Sequence, residues 1–270
     1  MSRDPELFCL GCKKDGQGGS VVKALRQSTP KFVIKAITRD IDSPIALQLA
    51  LAGITVLEAD LADKGALVEA FRGADGLFLV TDFFGGARCD ARLEIEHGIN
   101  AIEAAKEFTE NPGEVVDEGA FQETQRGFII PQFESKSAIA EHLKKSGLPY
   151  TILLTSFFFE DFLTTPNLEF PDGRYGFLAN VAADAVLPGL AVADVGSAAA
   201  RAFLYPLRCI GKCIPVVGDY FRFPDALATM STVTGKRFEY VQVTNKQFWH
   251  MQTHGARELS NAYRMQSYHV

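Results

Sequence analysis

Short apolar runs alternate with segments of helical periodicity through the first part of the chain. The runs predict strands at Phe8–Leu10, Phe32–Thr38, Thr55–Ala59, Gly76–Thr81 and Tyr150–Leu154. Apolar residues three or four positions apart predict helices at Gly18–Gln27, Pro44–Ala52, Lys64–Phe71, Ala91–Phe108 and Glu134–Ser146. Strands that alternate with helices become parallel neighbours joined by right-handed crossovers. The pattern therefore predicts an α/β fold with a doubly wound parallel sheet.

The alternation breaks at residues 109–130, where a fifth strand is due. The segment TENPGEVVDEGAFQETQRGFII is acidic and contains glycine and proline. Two interpretations are open, a strand shortened to Gly127–Ile130 or an irregular loop. The composition favours the loop, because glycine, proline and acidic residues are depleted in strands.

The C-terminal part of the chain regains a regular pattern. It predicts helices at Val192–Leu204 and Pro224–Thr234, and strands at Cys213–Val217 and Phe238–Val243. Pro215 places the first of these strands at a sheet edge, because proline cannot donate to a ladder of hydrogen bonds.

Composition and charge narrow the class of partner. The chain has 270 residues and a net charge of −6, with no block of Lys and Arg residues. Nucleic-acid backbones require a basic surface, so we expect no direct nucleic-acid binding, whereas regulation through a protein partner stays open. No apolar run reaches the length of a membrane span, and the first residues are too polar for a signal peptide. We expect a cytoplasmic protein, with the nucleus as an additional location; the sequence indicates no oligomeric state.

Cysteine spacing raises a zinc site as an alternative. Cys9 and Cys12 could form one half of such a site, and Cys209 and Cys213 the other. We favour thiols in a reducing compartment, because the cysteine count is odd and Cys9 lies in a predicted buried strand. The sequence therefore predicts no metal site.

A glycine-rich turn follows the first predicted strand and opens the first predicted helix. Its glycines are Gly11, Gly16, Gly18 and Gly19, and the first two enclose Cys12, Lys13, Lys14 and Asp15. In dinucleotide-binding turns, glycines let the backbone approach a pyrophosphate at the helix N-terminus. Here Asp15 would repel phosphate, whereas Lys13 or Lys14 would attract it. The order of strand, turn and helix favours nucleotide binding, and a purely structural turn stays the alternative.

Charged residues also follow the second and third predicted strands. Arg39 and Asp40 lie where an acidic residue reads a ribose hydroxyl or an arginine reads a 2′-phosphate. Arg39 favours the phosphate, because its planar guanidinium matches phosphate oxygens. The alternative is a solvated charge at the end of a strand. Asp60 and Leu61 follow the third strand, where they would flank an adenine.

Several ordered motifs together resemble one known family. They are GQGGSVVKAL, AITRD, VLEADLADKGALVEAFRGADGLFLVTDFF, FESKSAIAEHLKKSGLPYTIL, VADVGSAAARAFL and GARELSNAYR. Over most of the chain except residues 107–130, they resemble the NmrA-like family of atypical short-chain dehydrogenases. The resemblance implies a Rossmann-type NAD(P)-binding domain at 1–156 with about 189–218. It also implies a smaller C-terminal substrate or partner lobe at about 157–188 and 219–270.

The same resemblance implies NADP(H) as the cofactor, through Arg39, and a set of contact residues. These residues are Gly11, Cys12, Lys13, Lys14, Asp15, Gly16, Gly18, Arg39, Asp60, Leu61, Val80, Thr81, Asp82, Lys136, Phe157, Phe158, Phe159 and Glu160. The family's turn has evenly spaced glycines, and its fifth strand ends in small hydroxyl residues near the nicotinamide. This sequence departs from both patterns, so we expect weak or conditional binding.

One helix carries the candidate for reductase chemistry. A dehydrogenase of this class places a Tyr four residues before a Lys, because the cation lowers the Tyr pKa. Lys136 fills the Lys position and is the candidate catalytic residue, but Gln132 replaces the Tyr. The alternative for Lys136 is an exposed helix charge. The run Phe157–Phe159 either forms a wall of the nicotinamide pocket or packs between the two lobes.

Three hypotheses of function follow from these patterns. The first is an NADP(H)-binding, redox- or nucleotide-sensing regulator with weak or no reductase activity, acting on a regulatory protein partner. The second is an NADPH-dependent oxidoreductase whose substrate is a small carbonyl or enone metabolite. The third is an interaction scaffold that binds no nucleotide.

Overall fold

The structure, a computed structural model, describes residues 4–9, 16–29, 31–107, 114–119, 130–164, 168–250 and 256–266. The chain divides into two compact units. The first comprises Met1–Gln122, Gln132–Thr155 and Val192–Val216. The second comprises Glu123–Pro131, Ser156–Ala191 and Val217–Val270. The cofactor role of the first unit and the substrate or partner role of the second stay predictions.

The described strands and helices alternate along the chain. The strands are β1 (Glu6–Cys9), β2 (Val33–Thr38), β3 (Thr55–Glu58), β4 (Gly76–Leu79), β5 (Glu114–Gly119), β6 (Tyr150–Leu154), β7 (Phe157–Phe158), β8 (Leu168–Glu169), β9 (Tyr175–Ala179), β10 (Leu187–Leu190), β11 (Lys212–Pro215), β12 (Asp219–Phe221) and β13 (Phe238–Gln242). The helices are α1 (Gln17–Gln27), α2 (Pro44–Leu51), α3 (Lys64–Ala70), α4 (Ala91–Glu107), α5 (Pro131–Lys145), α6 (Asp161–Thr164), α7 (Val192–Leu204), α8 (Pro206–Cys209), α9 (Phe223–Thr234), α10 (Asn245–Trp249) and α11 (Ala256–Gln266).

Within the described ranges, the first unit is built on a parallel sheet of seven strands. Their order is β11-β6-β5-β4-β1-β2-β3. Leu7 of β1 pairs with Ile34 on one side and with Gly76 on the other. The strand order reverses between β1 and β4, and ligands of such folds bind at the carboxyl ends of the strands near this reversal. The predicted α/β fold with a doubly wound parallel sheet is confirmed.

Strand β5 corrects one expectation. The favoured loop at 109–130 was wrong, because Glu114–Gly119 pairs with β4 and β6, with Val116 opposite Phe78 and Thr151. Val115 and Val116 are buried, and two neighbouring strands satisfy the backbone of an otherwise acidic segment. Sheet pairing therefore overrides the composition. Most of the alternative strand Gly127–Ile130 lies outside the described residues.

Close contacts between helices complete the first unit. Helix α1 packs on α7, where a Cβ added to Gly196 would lie 2.3 Å from the carbonyl oxygen of Ser20. Helix α4 meets α5 at Gly98, where an added Cβ would lie 2.6 Å from Ile139 Cδ1. Glycine is required at both positions because it lets the neighbouring element approach so closely. Strand β11 pairs with β6 at the sheet edge, as Pro215 predicted.

The second unit has an aromatic core. Its strands form two small sheets, with orders β12-β10-β7 and β13-β9-β8. Phe223 stacks on Phe177 and Tyr240, with ring centroids 5.2 and 5.3 Å away. Phe157 and Phe162 belong to the same cluster. Among the helices that the structure describes, we find none that is long and apolar enough to cross a membrane.

Candidate functional site

A pocket of about 250 Å³ lies at the carboxyl ends of β2, β3 and β4. Its lining residues are Ile37, Thr38, Arg39, Asp40, Ser43, Ile45, Ala59, Asp60, Leu61, Val80, Asp82, Gly86 and His97. Aliphatic side chains supply apolar walls, and charged side chains flank them. This position matches the expected binding crevice of a doubly wound sheet, and the combination suits a flat aromatic ligand that carries polar groups.

The turn after β2 is braced by its own polar groups. Asp40 Oδ1 accepts the N–H of Asp42 at 3.0 Å, and the Ser43 hydroxyl donates to the Asp40 carbonyl at 2.9 Å. Ser43 also caps α2. Arg39 is exposed on this turn, and its guanidinium forms no ion pair within the described part of the chain. The cation is therefore available to an anion at the edge of the pocket.

A second wall comes from the turn after β3 and from α4. Asp60 Oδ1 accepts the N–H of Ala62 at 2.9 Å, and the carbonyl of Leu61 accepts from Asn100 Nδ2 at 3.0 Å. His97 of α4 lines the pocket and is buried. His97 was not predicted from the sequence, although it lies one turn before the small residue Ala101 on the buried face of α4.

The segment after β4 forms the third wall. Asp82 Oδ1 accepts the N–H of Gly85 at 2.9 Å, and the Asp82 carbonyl accepts the N–H of Ala87 at 2.8 Å. Arg88 and Cys89 follow with φ values of 51° and 60°, a left-handed conformation that is uncommon outside glycine. The two bonds hold the main chain of Asp82 beside the pocket.

A buried ion pair lies next to this third wall. Lys136 Nζ of α5 is 3.4 Å from Glu94 Oε1 of α4; the side chain of Lys136 is 12% exposed and that of Glu94 is 0% exposed. Lys136 Nζ donates to the carbonyl oxygen of Thr81 at 2.8 Å and to Thr81 Oγ1 at 3.0 Å. The hydroxyl of Thr81 donates to Glu94 Oε1 at 2.7 Å, and that of Ser135 donates to Glu94 Oε2. We call these four residues the lysine cluster.

The lysine cluster settles one alternative and adds two residues. Lys136 is not an exposed helix charge, so that interpretation was wrong. Glu94 and Ser135 were not predicted, because helical periodicity selects apolar positions and both residues are polar. Glu94 lies on the buried face of α4, with His97, Ala101 and Ile102.

The family assignment rests on a match along nearly the whole chain. The sequence model of the NmrA-like family matches residues 16–269. The chain belongs to the NmrA-like family. The resemblance drawn from the motifs is thereby confirmed.

Individual relatives of this NmrA-like protein differ in their described roles. The NmrA-like family domain-containing oxidoreductase cpsB of Aspergillus campestris is 28% identical, over 92% of this chain and 78% of its own. The NADPH-dependent quinone oxidoreductase QOR2 of Escherichia coli, solved with NADPH, has a TM-score of 0.78 at 23% identity, covering 97% of this chain and 89% of its own. NmrA, a negative transcriptional regulator solved with NADP, has a TM-score of 0.79 at 20% identity, covering 99% and 83%. The two structures show that this NmrA-like protein shares their fold.

The position of the missing Tyr is well defined in this NmrA-like protein. Gln132 lies one turn before Lys136 on α5 and is 7% exposed. A carboxamide has no ionisable proton at neutral pH, so it does not replace a Tyr as a proton donor. The hydroxyl oxygen of Thr81 lies 3.0 Å from the ammonium of Lys136, and the hydroxyls of Thr81 and Ser135 both donate to Glu94.

The glycine-rich turn is described only at its end. Gly16 caps α1 with a φ of −102°, its carbonyl accepts the N–H of Ser20 at 3.1 Å, and Gly18 is buried. Gly11, Cys12, Lys13, Lys14 and Asp15 lie outside the described residues, so their contact with a pyrophosphate stays a prediction.

The aromatic run belongs to the second unit. Phe157 lies in its core, 5.1 Å from the ring of Phe162, and the N–H of Phe159 donates to the carbonyl of Leu190 at 2.9 Å. Burial, together with the charge of Glu160, raises the pKa of the Asp161 carboxyl to about 6, against a smaller opposing effect of a backbone hydrogen bond at Phe158. The contacts of Phe157, Phe158, Phe159 and Glu160 with a cofactor stay predictions. Across the described ranges, no group of three or more His, Cys, Asp and Glu side chains could hold a metal ion.

Proposed function

We propose that the pocket at the ends of β2, β3 and β4 holds the 2′-phosphoadenosine half of NADP(H). Ile37, Ala59 and Leu61 offer apolar surface to an adenine, and Asp60 offers acceptors to polar edges. Arg39 lies at the rim without an ion pair among the described residues, which suits a 2′-phosphate. When bound, NADP(H) supplies hydride chemistry. The described contacts of this chain concern binding and orientation.

The partners of Lys136 in the lysine cluster, together with the neighbouring Gln132, are the observation that supports a regulatory role. Gln132 replaces the proton donor, and the ammonium of Lys136 already binds Thr81 and Glu94. We infer a redox- or nucleotide-sensing regulator with weak or no reductase activity. A nucleotide that binds one conformation more tightly shifts the population towards it and so alters a surface for a protein partner. A cytoplasmic location is part of this proposal.

A second function is supported by the names of the relatives. The protein cpsB is described as an oxidoreductase and QOR2 as an NADPH-dependent quinone oxidoreductase. The corresponding activity here is NADPH-dependent reduction of a small carbonyl, enone or quinone. The acid would then be a hydroxyl or a water molecule, because Gln132 donates no ionisable proton.

A combined binding and turnover experiment separates these functions. We expect NADPH to raise the melting temperature, because a site saturated at 100 times its Kd gains ~2.7 kcal/mol of stability. We expect NADPH oxidation to stay at or slightly above the protein-free rate when p-benzoquinone or an enone is added, with QOR2 as the positive control. Absorbance at the NADPH band measures turnover. Steady oxidation at a rate similar to that of QOR2 would establish the second function, and the absence of any melting shift would leave only a scaffold.

A further inference from the structure

We propose that the lysine cluster positions the third wall of the pocket through the main chain of Thr81. In this role Lys136 and Glu94 act on the nucleotide through Thr81, which differs from a direct contact between Lys136 and the cofactor. The inference rests on the proposed binding of NADP(H) in the pocket.

Lys136 contacts Thr81 at two atoms. One ammonium donates to the carbonyl oxygen and to the hydroxyl of the same residue, at 2.8 and 3.0 Å. Two bonds from one donor fix both the peptide plane and the side-chain rotamer. Thr81 lies between Val80 and Asp82, which both line the pocket. A movement of Thr81 therefore moves two lining residues.

Glu94 is buried and is held by protein partners. Its side chain has no exposed surface, so its charge depends on protein partners. The hydroxyls of Thr81 and Ser135 each donate to one of its oxygens, and the ammonium of Lys136 balances its charge. The single proton of the Thr81 hydroxyl is directed at Glu94, so the hydroxyl oxygen accepts from Lys136. Each hydrogen bond of the Thr81 hydroxyl thus has one defined donor and one defined acceptor.

Glu94 also connects the lysine cluster to the part of α4 that lines the pocket. His97 lies three residues after Glu94 on the same helix face and lines the pocket. Glu94 therefore holds the α4 wall in place against the segment after β4. Lys136 itself is not among the described residues that line the pocket. A loss of adenosine binding on changing Lys136 must then arise through its neighbours.

Two variants and two ligands test this positioning role. Lys136→Met removes the cation, and the double variant Glu94→Gln with Lys136→Met removes both buried charges. Lys144→Met is the control, because Lys144 lies on the same helix and pairs with Glu141 at the surface. NADPH spans the whole cofactor, whereas 2′,5′-ADP carries only its 2′-phosphoadenosine half. Titration calorimetry below the melting temperature gives both Kd values.

We expect Lys136→Met to weaken NADPH and 2′,5′-ADP alike, by about tenfold, as the loss of one hydrogen bond to a charged group can produce. The double variant should melt at a higher temperature than Lys136→Met, because no lone buried charge remains. Its Kd for 2′,5′-ADP should stay about tenfold weaker than that of the native chain, because nothing holds Thr81 as the ammonium did. The control should match the native chain in both affinities.

Other outcomes overturn the inference in distinguishable ways. Loss of NADPH affinity with unchanged 2′,5′-ADP affinity would show a direct contact of Lys136 with the other half of the cofactor. A lower melting temperature with both affinities unchanged, or restored affinity in the double variant, would leave only a stabilising role. If the native chain binds neither ligand, the proposed function fails and the inference falls with it.

Discussion

As the pH rises from 5 to 8, the free energy of unfolding of the native chain should fall by about 2–3 kcal/mol. The Glu114→Gln variant should not show this fall. Glu114 of β5 is 6% exposed, and its Oε1 accepts the hydroxyl of Thr151 at 2.5 Å. Its Oε2 has no hydrogen-bond partner among the residues that the structure describes. Burial raises the pKa of this carboxyl from 4.5 to about 7, against a smaller opposing effect of the Thr151 hydroxyl.

The sign follows from proton binding in the two states. Between pH 4.5 and about 7 the folded chain holds a proton on Glu114 that the unfolded chain has lost. Stability therefore falls as the pH rises through this window and is level with respect to this group above it. One pKa unit corresponds to ~1.36 kcal/mol, which gives the stated magnitude. Glutamine keeps the acceptor for Thr151 and does not titrate.

Urea unfolding at both pH values measures this difference. Glu96→Gln is the matched control, because Glu96 is an exposed residue of α4, and the variant should show the same pH dependence as the native chain. If Glu114→Gln retains the full pH dependence of the native chain, burial of the Glu114 carboxyl is not its cause.

Gly196→Ala should lower the free energy of unfolding by about 2–3 kcal/mol. The new Cβ would lie 2.3 Å from the carbonyl oxygen and 2.5 Å from the carbonyl carbon of Ser20, which are backbone atoms of α1. A helix cannot rotate a backbone carbonyl aside, so α1 and α7 must separate and lose packing. In a helix interior, alanine is more favourable than glycine by ~1 kcal/mol. This gain offsets only part of the free-energy cost of separating the two helices.

Gly65→Ala controls for the change in helix propensity. Gly65 also lies in a helix, and its added Cβ would meet only Asp63 Oδ1, at the ordinary distance of 3.4 Å. We expect that variant to be as stable as the native chain or more stable. Chemical denaturation of the two variants measures the contrast, and equal stability of both would show that the helices are not packed this closely.

The overall fold could be predicted from the sequence because its signals are local. Alternating apolar runs and helical periodicity indicated the parallel sheet, and Pro215 indicated an edge strand. Strand β5 could not be predicted in this way. Its Val115 and Val116 form too short an apolar run, and β4 and β6, between which it pairs, are distant in sequence. Composition alone favoured a loop at the position of a central strand.

Some residues of the candidate site could likewise be predicted from the sequence, and others could not. Arg39 and Asp60 could be identified because residues that follow parallel strands meet at one sheet edge. His97 and Glu94 could not, because polar residues on a helix are normally assigned to its solvent face. Their burial depends on α4 lying against β4 and α5, a tertiary contact that helical periodicity does not encode. The sequence alone identified Lys136, but only the structure shows its contact with Thr81.

The central claim is that Arg39 receives the 2′-phosphate of NADP(H) in the pocket of the first unit. Titration calorimetry of NADP⁺ and NAD⁺ with the native chain and with Arg39→Leu tests it most directly. Arg26→Leu is the control, because Arg26 is exposed in the last turn of α1 and does not line the pocket. We expect the native chain to prefer NADP⁺, and Arg39→Leu to weaken NADP⁺ about tenfold while leaving NAD⁺ unchanged. Equal affinities of the native chain for the two nucleotides, or an equal loss of both in Arg39→Leu, would contradict the claim.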